Sequence, residues 1–220
     1  MKKLLFLIII ASFIFCEKKF VITIDDVPTE NFETVISFLE TNHYFSILFV
    51  TEYIEPLTNF DFKKITINKN FIIGNHTSSH NLDLLKYSSW HVIKRDLMPI
   101  HSYFKTNFNY TIKLYRTPYG YCNNKNLQAI LRMNYDILPW DPEIPNENKY
   151  KNKTNVILDK EELVKYFDYH FPYKRNICVL LFHINSYILT NLKVIFEAIE
   201  EYGKVATKKD FYNNYNLIVK

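Results

Sequence analysis

Short apolar segments alternate with segments of helical periodicity along this chain. Residues 19–24 alternate in polarity and are rich in β-branched side chains, which predicts a strand that ends at Asp25. In residues 32–39 the apolar side chains recur at helical spacing, which predicts a helix after that strand. The same criteria predict strands at residues 44–50, 71–73, 113–116, 136–140 and 177–183, and helices at residues 88–105, 124–133, 161–169 and 191–202.

This alternation predicts the α/β class. Short, continuously apolar strands separated by helices are typical of a mostly parallel sheet that helices cover. About seven such units in a single domain predict a small, distorted (β/α) barrel that is similar to a TIM barrel. A loop rich in Pro and Asn, residues 139–154, interrupts the pattern without dividing the chain.

The N-terminal segment, residues 1–16, has the build of a secretory signal peptide. Two lysines precede an apolar run over residues 4–15, and polar residues follow. Because about 20 apolar residues are needed to span a bilayer, a cleaved signal is favoured over a membrane anchor. We therefore expect residues 17–220 to form the mature domain, to carry no stable membrane anchor, and to be secreted to the extracellular space or the cell wall.

Charge and cysteine content limit the partners and the compartment. The formal net charge is +4 and falls to +2 without Lys2 and Lys3, which is too little to indicate a nucleic-acid partner. An oxidising compartment would allow Cys122 and Cys178 to pair. Triplets of the N-glycosylation type, which also arise by chance in a chain rich in asparagine, begin at Asn75, Asn109 and Asn152.

Candidate metal chemistry lies at the ends of two predicted strands. The sequence T-I-D-D-V-P offers adjacent carboxylates, Asp25 and Asp26, which can divide proton transfer and metal binding between them. The loop G-N-H-T-S-S-H places His76 and His80 four residues apart. Two histidines and one carboxylate leave positions open on a divalent ion, as a catalytic site requires. Neither motif is specific alone, because Asp and Pro are common in turns and histidine pairs arise by chance.

Other strand ends carry Arg116, Trp140 and His183. In Y-R-T-P-Y-G-Y, Arg116 would keep a neighbouring aspartate ionised and the Tyr119 N–H would face an oxyanion; a surface ion pair is the alternative. The pKa range of His183 suits a general acid, although a histidine ending an apolar strand is more often a hydrogen-bonded core residue. Core packing is the alternative for Trp140, and a solvated loop for Glu143.

In this order, TIDD, GNHTSSH, RTPYGY and LLFH resemble the successive motifs of the polysaccharide deacetylase family, which includes chitin deacetylases and peptidoglycan N-acetylglucosamine deacetylases. The resemblance spans residues 23–183. It implies a distorted (β/α) barrel that binds zinc, or cobalt in some members. The implied reaction is hydrolysis of N-acetyl groups on N-acetylglucosamine polymers, which yields acetate and a free amino sugar.

The resemblance also implies a role for each matching residue. Asp25 would be the general base, Arg116 would orient it, and His183 would be the general acid. The metal ligands would be Asp26, His76 and His80. The residues that contact substrate or the oxyanion would be Tyr119, Tyr121, Trp140 and Glu143.

The chain departs from the family pattern in three places. Val27 stands where Gly is usual, and Ile184 stands where Asp is common. The segment W-D-P-E-I-P resembles the fourth motif only loosely, with Glu143 as the acid that would adjust the pKa of His183. A second hypothesis is therefore a catalytically silent, secreted carbohydrate-binding or cell-wall protein with the same fold. The chain is poor in Gly and Ala and rich in Lys, Asn, Ile, Phe and Tyr, which resembles the coding bias of an AT-rich genome. The glycosylation triplets and this coding bias favour a eukaryotic setting, and hence chitin over peptidoglycan as the polymer.

Overall fold

A curled, parallel β-sheet forms the centre of the molecule. The computed structural model describes residues 17–219, so the expected signal peptide lies outside the described residues. The strands of the described chain are β1 (Lys19–Val27), β2 (Ser46–Val50), β3 (Phe71–Asn75), β4 (Leu114–Tyr115), β5 (Asp136–Ile137), β6 (Ile177–His183) and β7 (Lys204–Val205). They pair in parallel in the order β5-β4-β3-β2-β1-β6, and β7 pairs with the start of β1.

Helices cover the outer face of the sheet. Within residues 17–219 the α-helices on both faces of the sheet are α1 (Phe32–Thr41), α2 (Phe62–Ile67), α3 (Leu82–Tyr87), α4 (Trp90–Phe108), α5 (Asn124–Arg132), α6 (Glu147–Tyr150), α7 (Lys160–His170), α8 (Ser186–Tyr202), α9 (Lys208–Asn213) and α10 (Tyr215–Ile218). Alternate residues of β1, namely Phe20, Ile22 and Ile24, are fully buried in one core cluster with the apolar faces of α1 and α8. Because side chains alternate between the two faces of a strand, every second residue of β1 packs against the helices.

The inner face of the sheet holds a second core. Val21 of β1, Phe49 of β2 and Val179 of β6 belong to it, together with Phe211 of α9. The rings of Phe45 and Phe211 lie 5.7 Å apart, and Phe45 directly precedes β2. The C-terminal helices therefore cover the inner core at the amino ends of the strands, which leaves the carboxyl ends for a cleft.

The segment that follows β5 closes the sheet into a barrel. The N–H of Asp141 donates to the carbonyl oxygen of Val179 over 2.9 Å, and the N–H of Leu181 donates to that of Pro142 over 3.1 Å. The Asp141 carboxylate also pairs with Arg175. Because residues 141–144 leave β5 and pair with β6, they join the two edges of the sheet. The predicted distorted (β/α) barrel is thereby confirmed.

The predicted elements differ from the structure mainly at their ends. Strand β3 continues through Gly74, which was expected to stop it. Glycine serves here to allow close packing and not to end the strand, because a Cβ would overlap the Phe49 ring of β2. Strand β5 ends at Ile137 rather than at residue 140, because the chain turns towards β6. Helix α8 begins at Ser186, earlier than predicted, because the Asn185 side chain caps it.

Several short elements are absent from the sequence prediction. They are α2, α3, α6, α9, α10 and β7. The helices among them have four to six residues, which is too short to display a helical period. Among them, α6 lies within the segment that was predicted to be a loop, residues 139–154.

Two features bear on the compartment expected from the sequence. Cys122 and Cys178 are both free thiols, so the pairing that an oxidising compartment would allow is not formed. Burial raises the pKa of Cys122 to about 11, which makes its thiolate scarce at neutral pH. Within residues 17–219, no helix combines the length and the apolar composition that crossing a bilayer requires.

Candidate metal centre and active site

The period of two along the strands directs polar side chains into the cleft. Asp25 lies on the inner face of β1 with Val21, and His183 lies on the inner face of β6 with Val179. Asp25 and His183 also occupy facing positions in the parallel pairing of β1 with β6. Arg116 follows β4 on the same inner face. These side chains therefore converge at the carboxyl ends of the strands, as a (β/α) barrel predicts.

An irregularity in β1 brings Asp26 into the same cleft. Between Ile24 and Val27, β1 has one residue more than β2 has between Leu48 and Val50. Asp26 lies in this bulge with a left-handed backbone, at φ 58°. Because a bulge re-aims side chains, two consecutive carboxylates reach one cleft instead of pointing to opposite faces. The residue with the positive φ is thus Asp26 and not Val27, which stands where the family usually has Gly.

Asp26, His76 and His80 present ligand atoms to a common point. One such atom from each residue lies within 4.8 Å of the others. Asp26 Oδ1 is 3.6 Å from His76 Nε2 and 3.1 Å from His80 Nε2. His76 Nδ1 lies 2.8 Å from the carbonyl oxygen of Arg116. Because that oxygen can only accept, Nδ1 carries the proton and His76 Nε2 offers its lone pair to the cleft.

The burial of these atoms fits a divalent metal ion. Asp26 Oδ1 and His80 Nδ1 are buried and have no hydrogen-bond partner among residues 17–219, despite the proximity of Asp26 Oδ1 to His80 Nε2. Burying a carboxylate oxygen without a partner is costly, and a cation would offset that cost. Burial lowers the pKa of His80, which keeps its imidazole neutral and able to coordinate. Two imidazoles and one carboxylate are a donor set that suits zinc.

Arg116 holds Asp25 from inside the barrel. Its Nη1 donates to Asp25 Oδ1 over 2.8 Å, and its Nε donates to the carbonyl oxygen of Leu138 over 2.9 Å. The guanidinium also lies 4.2 Å from the centre of the Phe49 ring. Burial raises the pKa of Asp25, but the charges of Arg116 and two histidines outweigh that effect and lower it. An ionised Asp25 therefore lies beside the metal ligands, with Oδ2 3.5 Å from His76 Nε2.

A buried glutamate holds His183. Glu147 Oε1 lies 3.0 Å from His183 Nδ1 and accepts the backbone N–H of His183 over 2.9 Å. The same oxygen accepts from Asn185 Nδ2 over 2.8 Å. Burial lowers the pKa of His183, but the hydrogen bond and charge of Glu147, with the two aspartates, raise it to about 9. A protonated His183 therefore faces the candidate metal site, with Nε2 3.8 Å from Asp26 Oδ2.

The acid beside His183 is Glu147 and not Glu143, which corrects the sequence-based hypothesis. Glu143 pairs through its backbone with Leu181, and its carbonyl oxygen accepts from the Tyr166 hydroxyl over 2.9 Å. Glu147 begins α6 and is only 4% exposed. Its polar surroundings, N-E-N-K-Y-K-N-K-T, predicted an exposed loop, and a buried glutamate is rare. The sequence therefore gave no signal for Glu147.

Two buried side chains restrain the histidine loop, residues 76–80. Asn75 Oδ1 accepts the N–H of Thr77 over 2.9 Å. The Asp96 carboxylate accepts the N–H of Ser79 over 2.8 Å and its hydroxyl over 2.9 Å. Thr77 has a positive φ of 65°, which these contacts help to hold. The loop is therefore ordered by the protein itself, as precise metal coordination requires.

The candidate site opens into a cavity of about 440 Å³. Among the predicted substrate-contacting residues, those that line it are Tyr119, Trp140 and Glu143. Tyr121 does not line it, and its ring lies 5.6 Å from the ammonium of Lys86.

Sequence reasoning missed several other residues that line the cavity, among them one on β6 and two in the loop after β2. Leu181 lies on the inner face of β6, two residues before His183, so the period of two in L-L-F-H was a usable signal. Tyr53 and Ile54 lie in the loop after β2. No motif marks them, because that loop approaches the site only through the packing of β2 beside β1.

Solved structures resemble this fold at low sequence identity. A CE4 family pseudoenzyme from Bacillus anthracis superposes with a TM-score of 0.68 and 16% identity, over 88% of this chain and 65% of that chain. The chain therefore spans less than two thirds of that protein's length. The Xyl-CE4 domain of a multidomain xylanase from the hindgut metagenome of Trinervitermes trinervoides gives a TM-score of 0.70 and 18% identity, over 91% and 92% of the two chains.

A chitin deacetylase from the fungal pathogen Colletotrichum lindemuthianum gives a TM-score of 0.70 and 14% identity, over 87% of this chain and 85% of that chain. At these identities the likeness establishes the fold alone. No curated protein sequence matches the chain. The family model described as polysaccharide deacetylase matches residues 15–138, which is more than half of the chain. The chain therefore belongs to the polysaccharide deacetylase family, whose deacetylases are hydrolases that act on amide bonds.

Proposed function

We propose that this chain is a secreted, metal-dependent deacetylase that hydrolyses the N-acetyl groups of N-acetylglucosamine polymers, with chitin as the substrate. One observation carries the proposal. A single cleft holds three metal-ligand side chains between an ionised carboxylate, paired with an arginine, and a protonated imidazole, paired with a glutamate. Hydrolysis of an amide needs a base for water and an acid for the leaving amine, and this cleft offers both.

Asp26, His76 and His80 would hold the metal ion. Two imidazoles and one carboxylate are typical ligands of catalytic zinc, and cobalt accepts the same donors. When bound, a divalent ion supplies Lewis acidity towards the carbonyl oxygen of the substrate amide. Zinc is the proposed metal, and cobalt is the alternative.

Asp25 would act as the general base. Its lowered pKa keeps the carboxylate ionised at neutral pH. Arg116 occupies Oδ1, which leaves Oδ2 to take a proton from the water molecule that attacks the acetyl carbon. Arg116 thereby fixes the orientation of the base as well as its charge.

His183 would act as the general acid. Its raised pKa of about 9 keeps the imidazole protonated at neutral pH. Glu147 binds Nδ1, so the proton that can be transferred is the one on Nε2, which faces the cleft. Transfer of this proton to the amide nitrogen lets the carbon–nitrogen bond break, and acetate and a free amine result.

The remaining cavity residues would position the acetyl group. Trp140 and Leu181 line the cavity with apolar surface that suits a methyl group. Tyr119 would offer its backbone N–H to the oxyanion that forms at the acetyl carbon. Glu143 would contact the sugar from the opposite part of the cavity.

The choice of polymer and compartment rests on the sequence. Removal of the expected signal peptide would release residues 17–220 outside the cell or into the cell wall. The glycosylation triplets and coding bias support a eukaryotic setting and hence chitin. A catalytically silent carbohydrate-binding protein is the second candidate, since the fold is also similar to that of a CE4 family pseudoenzyme.

Acetate release tests the proposal directly. Purified protein loaded with zinc should release acetate from chitin oligomers, and the Asp25→Asn variant should bind zinc but release none. Comparison of acetate release from chitin oligomers with that from peptidoglycan identifies the polymer. Protein that binds zinc and chitin oligomers without releasing acetate would support the silent homologue, and the absence of both metal and sugar binding would overturn both candidates.

A further inference from the structure

A second cavity, of about 510 Å³, lies at the amino ends of the strands, and we call it the amino-end cavity. Leu114 begins β4 and Asp136 begins β5, and both line it. Helices α9 and α10 supply another wall. Its volume is within the range of small-molecule sites, about 300–1,000 Å³, and its lining residues differ from those of the cleft. The proposed deacetylation therefore gives this cavity no task.

One complete N-glycosylation triplet lines the amino-end cavity, Asn109, Tyr110 and Thr111. Asn109 follows the last residue of α4 with a left-handed backbone, at φ 51°, and its side chain is exposed. The Lys105 ammonium donates to Asn109 Oδ1 over 2.9 Å, whereas Asn109 Nδ2 has no hydrogen-bond partner within residues 17–219. Because a glycan is attached to Nδ2, a glycan on Asn109 would begin at the wall of this cavity.

Two tyrosines of the C-terminal helices give the cavity an aromatic wall. The rings of Tyr212 and Tyr215 are nearly parallel, with their planes 25° apart and their centres 5.9 Å apart. The Tyr215 hydroxyl donates to Asp136 Oδ2 over 2.6 Å, which fixes the position of that ring. Tyr212 is 55% exposed, so part of its ring is available to a ligand. A pyranose ring has a face rich in C–H groups, which matches such an aromatic surface.

Two lysines add hydrogen-bond donors to the aromatic wall. Lys113 and Lys208 line the cavity, and neither ammonium has a hydrogen-bond or ionic partner within residues 17–219. Burial lowers the pKa of Lys208, so its ammonium is partly removed from water. The hydroxyl and N-acetyl oxygens of an N-acetylglucosamine residue can accept from both amines. The Asp136 carboxylate lines the same cavity, which favours a neutral ligand over an anion.

We infer that a glycan attached to Asn109 occupies the amino-end cavity, with its first N-acetylglucosamine packed on Tyr212. The inference rests on the secretory route of the proposed function and not on its chemistry. In the attachment, the bond between the sugar C1 and the diphosphate of a lipid-linked oligosaccharide breaks, C1 bonds to Asn109 Nδ2, a proton leaves Nδ2, and the lipid diphosphate departs. The bound sugar then joins the end of α4 to α9, which stabilises the C-terminal helices on the barrel.

Deglycosylation of the folded protein tests this inference. The full chain, secreted from eukaryotic cells, is treated with peptide N-glycosidase without denaturant, and mass spectrometry follows the conversion of Asn109 and Asn152 to aspartate. A bound glycan must leave the cavity before it is cut, so Asn109 should be converted about tenfold more slowly than Asn152. Asn152 is the internal control, because it is exposed and lies outside the cavity.

Variants of Tyr212 identify the contact. Tyr212→Ala should raise the conversion rate at Asn109 about tenfold and leave the rate at Asn152 unchanged. Tyr212→Phe keeps the ring and should behave like the wild type. Tyr169→Ala is the matched control, because this tyrosine of α7 is 84% exposed and lies outside the cavity.

Thermal unfolding gives a second measurement. Thr111→Val removes the triplet and keeps Asn109, whose left-handed backbone suits asparagine. With metal removed by a chelator, the unfolding midpoint of the glycosylated wild type should exceed that of Thr111→Val by about 2–4 °C. The same pair made in bacteria, where neither protein is glycosylated, measures the effect of the substitution itself, which is subtracted.

The absence of a glycan at Asn109 would overturn the inference, and so would equal conversion rates at Asn109 and Asn152 in the wild type. Slow conversion at Asn109 that persists in Tyr212→Ala would also overturn it, because the glycan would then be protected elsewhere. These measurements do not involve acetate release. A protein that releases no acetate can therefore still confirm the glycan in the cavity, and an active deacetylase can refute it.

Discussion

Glu147 Oε1 lies 3.0 Å from His183 Nδ1, so a four-residue helix in a polar segment supplies the partner of the proposed general acid. The helix follows the segment that pairs with β6 and closes the barrel. Closure of the barrel and the charge of His183 therefore depend on the same stretch of chain.

Replacing Glu147 with Gln should change the pH dependence of activity. Glu147 raises the pKa of His183, and the acidic form of His183 is lost as the pH rises through that pKa. Without the carboxylate the pKa falls, so the alkaline decline of acetate release should move to lower pH by about one unit or more. Initial rates measured from neutral to alkaline pH check this.

Glu143→Gln is the matched control for that experiment. Glu143 lines the same cavity but is not the acid bonded to His183. Its variant should keep the alkaline limb of the wild-type profile. A Glu147→Gln profile that coincides with the wild type would contradict the assigned role of Glu147.

Removing His80 should abolish tight zinc binding. Zinc that binds only the folded state raises the midpoint of thermal unfolding, so titration of the wild-type apoprotein should increase that midpoint. His80→Ala loses one of three ligands, and its zinc affinity should fall by at least about 100-fold. His91→Ala, at an exposed position in α4, should respond to zinc like the wild type. An unchanged zinc response in His80→Ala would count against the metal site.

Replacing Arg116 with Met should destabilise the metal-free protein. Asp25 would remain buried without its cation, at a cost of about 3–5 kcal/mol in the free energy of unfolding. Asp25→Asn in the same chain should recover part of that loss. Urea unfolding in the presence of a chelator measures the loss in Arg116→Met and its recovery in the double variant. The control is Arg132→Met, at an exposed position in α5, whose free energy of unfolding should stay within about 0.5 kcal/mol of the wild-type value.

We also expect the destabilisation by Arg116→Met to depend on pH. The pKa of Asp25 is lowered in the folded protein, so its contribution to stability is present above the ordinary pKa and is lost as the pH falls through the lowered one. The stability difference between wild type and Arg116→Met should therefore shrink in acid. A difference that grows on acidification would contradict the ion pair.

Expression through a eukaryotic secretory pathway should modify two of the three glycosylation triplets. Asn109 and Asn152 are exposed, whereas Asn75 is fully buried and its Nδ2 donates to the carbonyl oxygen of Leu97 over 2.9 Å. Mass spectrometry before and after enzymatic deglycosylation should locate glycans at the first two positions alone. Occupancy at Asn75 in folded, secreted protein would contradict its placement in β3.

The sequence by itself determined the strands and the residues at their ends. Apolar runs and a period of two depend only on neighbours along the chain, and they located β1, β3 and β6 and the sites that follow them. Because parallel strands end at the same edge of a sheet, Asp25, His76, Arg116 and His183 were expected to converge, and the structure brings them together. Their ordered motifs also identified the family.

Only the tertiary structure decided which other side chains complete the cleft. Glu147 and Tyr53 lie in irregular segments, and their places depend on how residues 141–144 close the barrel and how the loop after β2 packs on the histidine loop. The same long-range packing leaves Tyr121 outside the cavity. Such contacts join residues far apart in the chain and leave no periodic trace, so the pattern of the sequence could not reveal them.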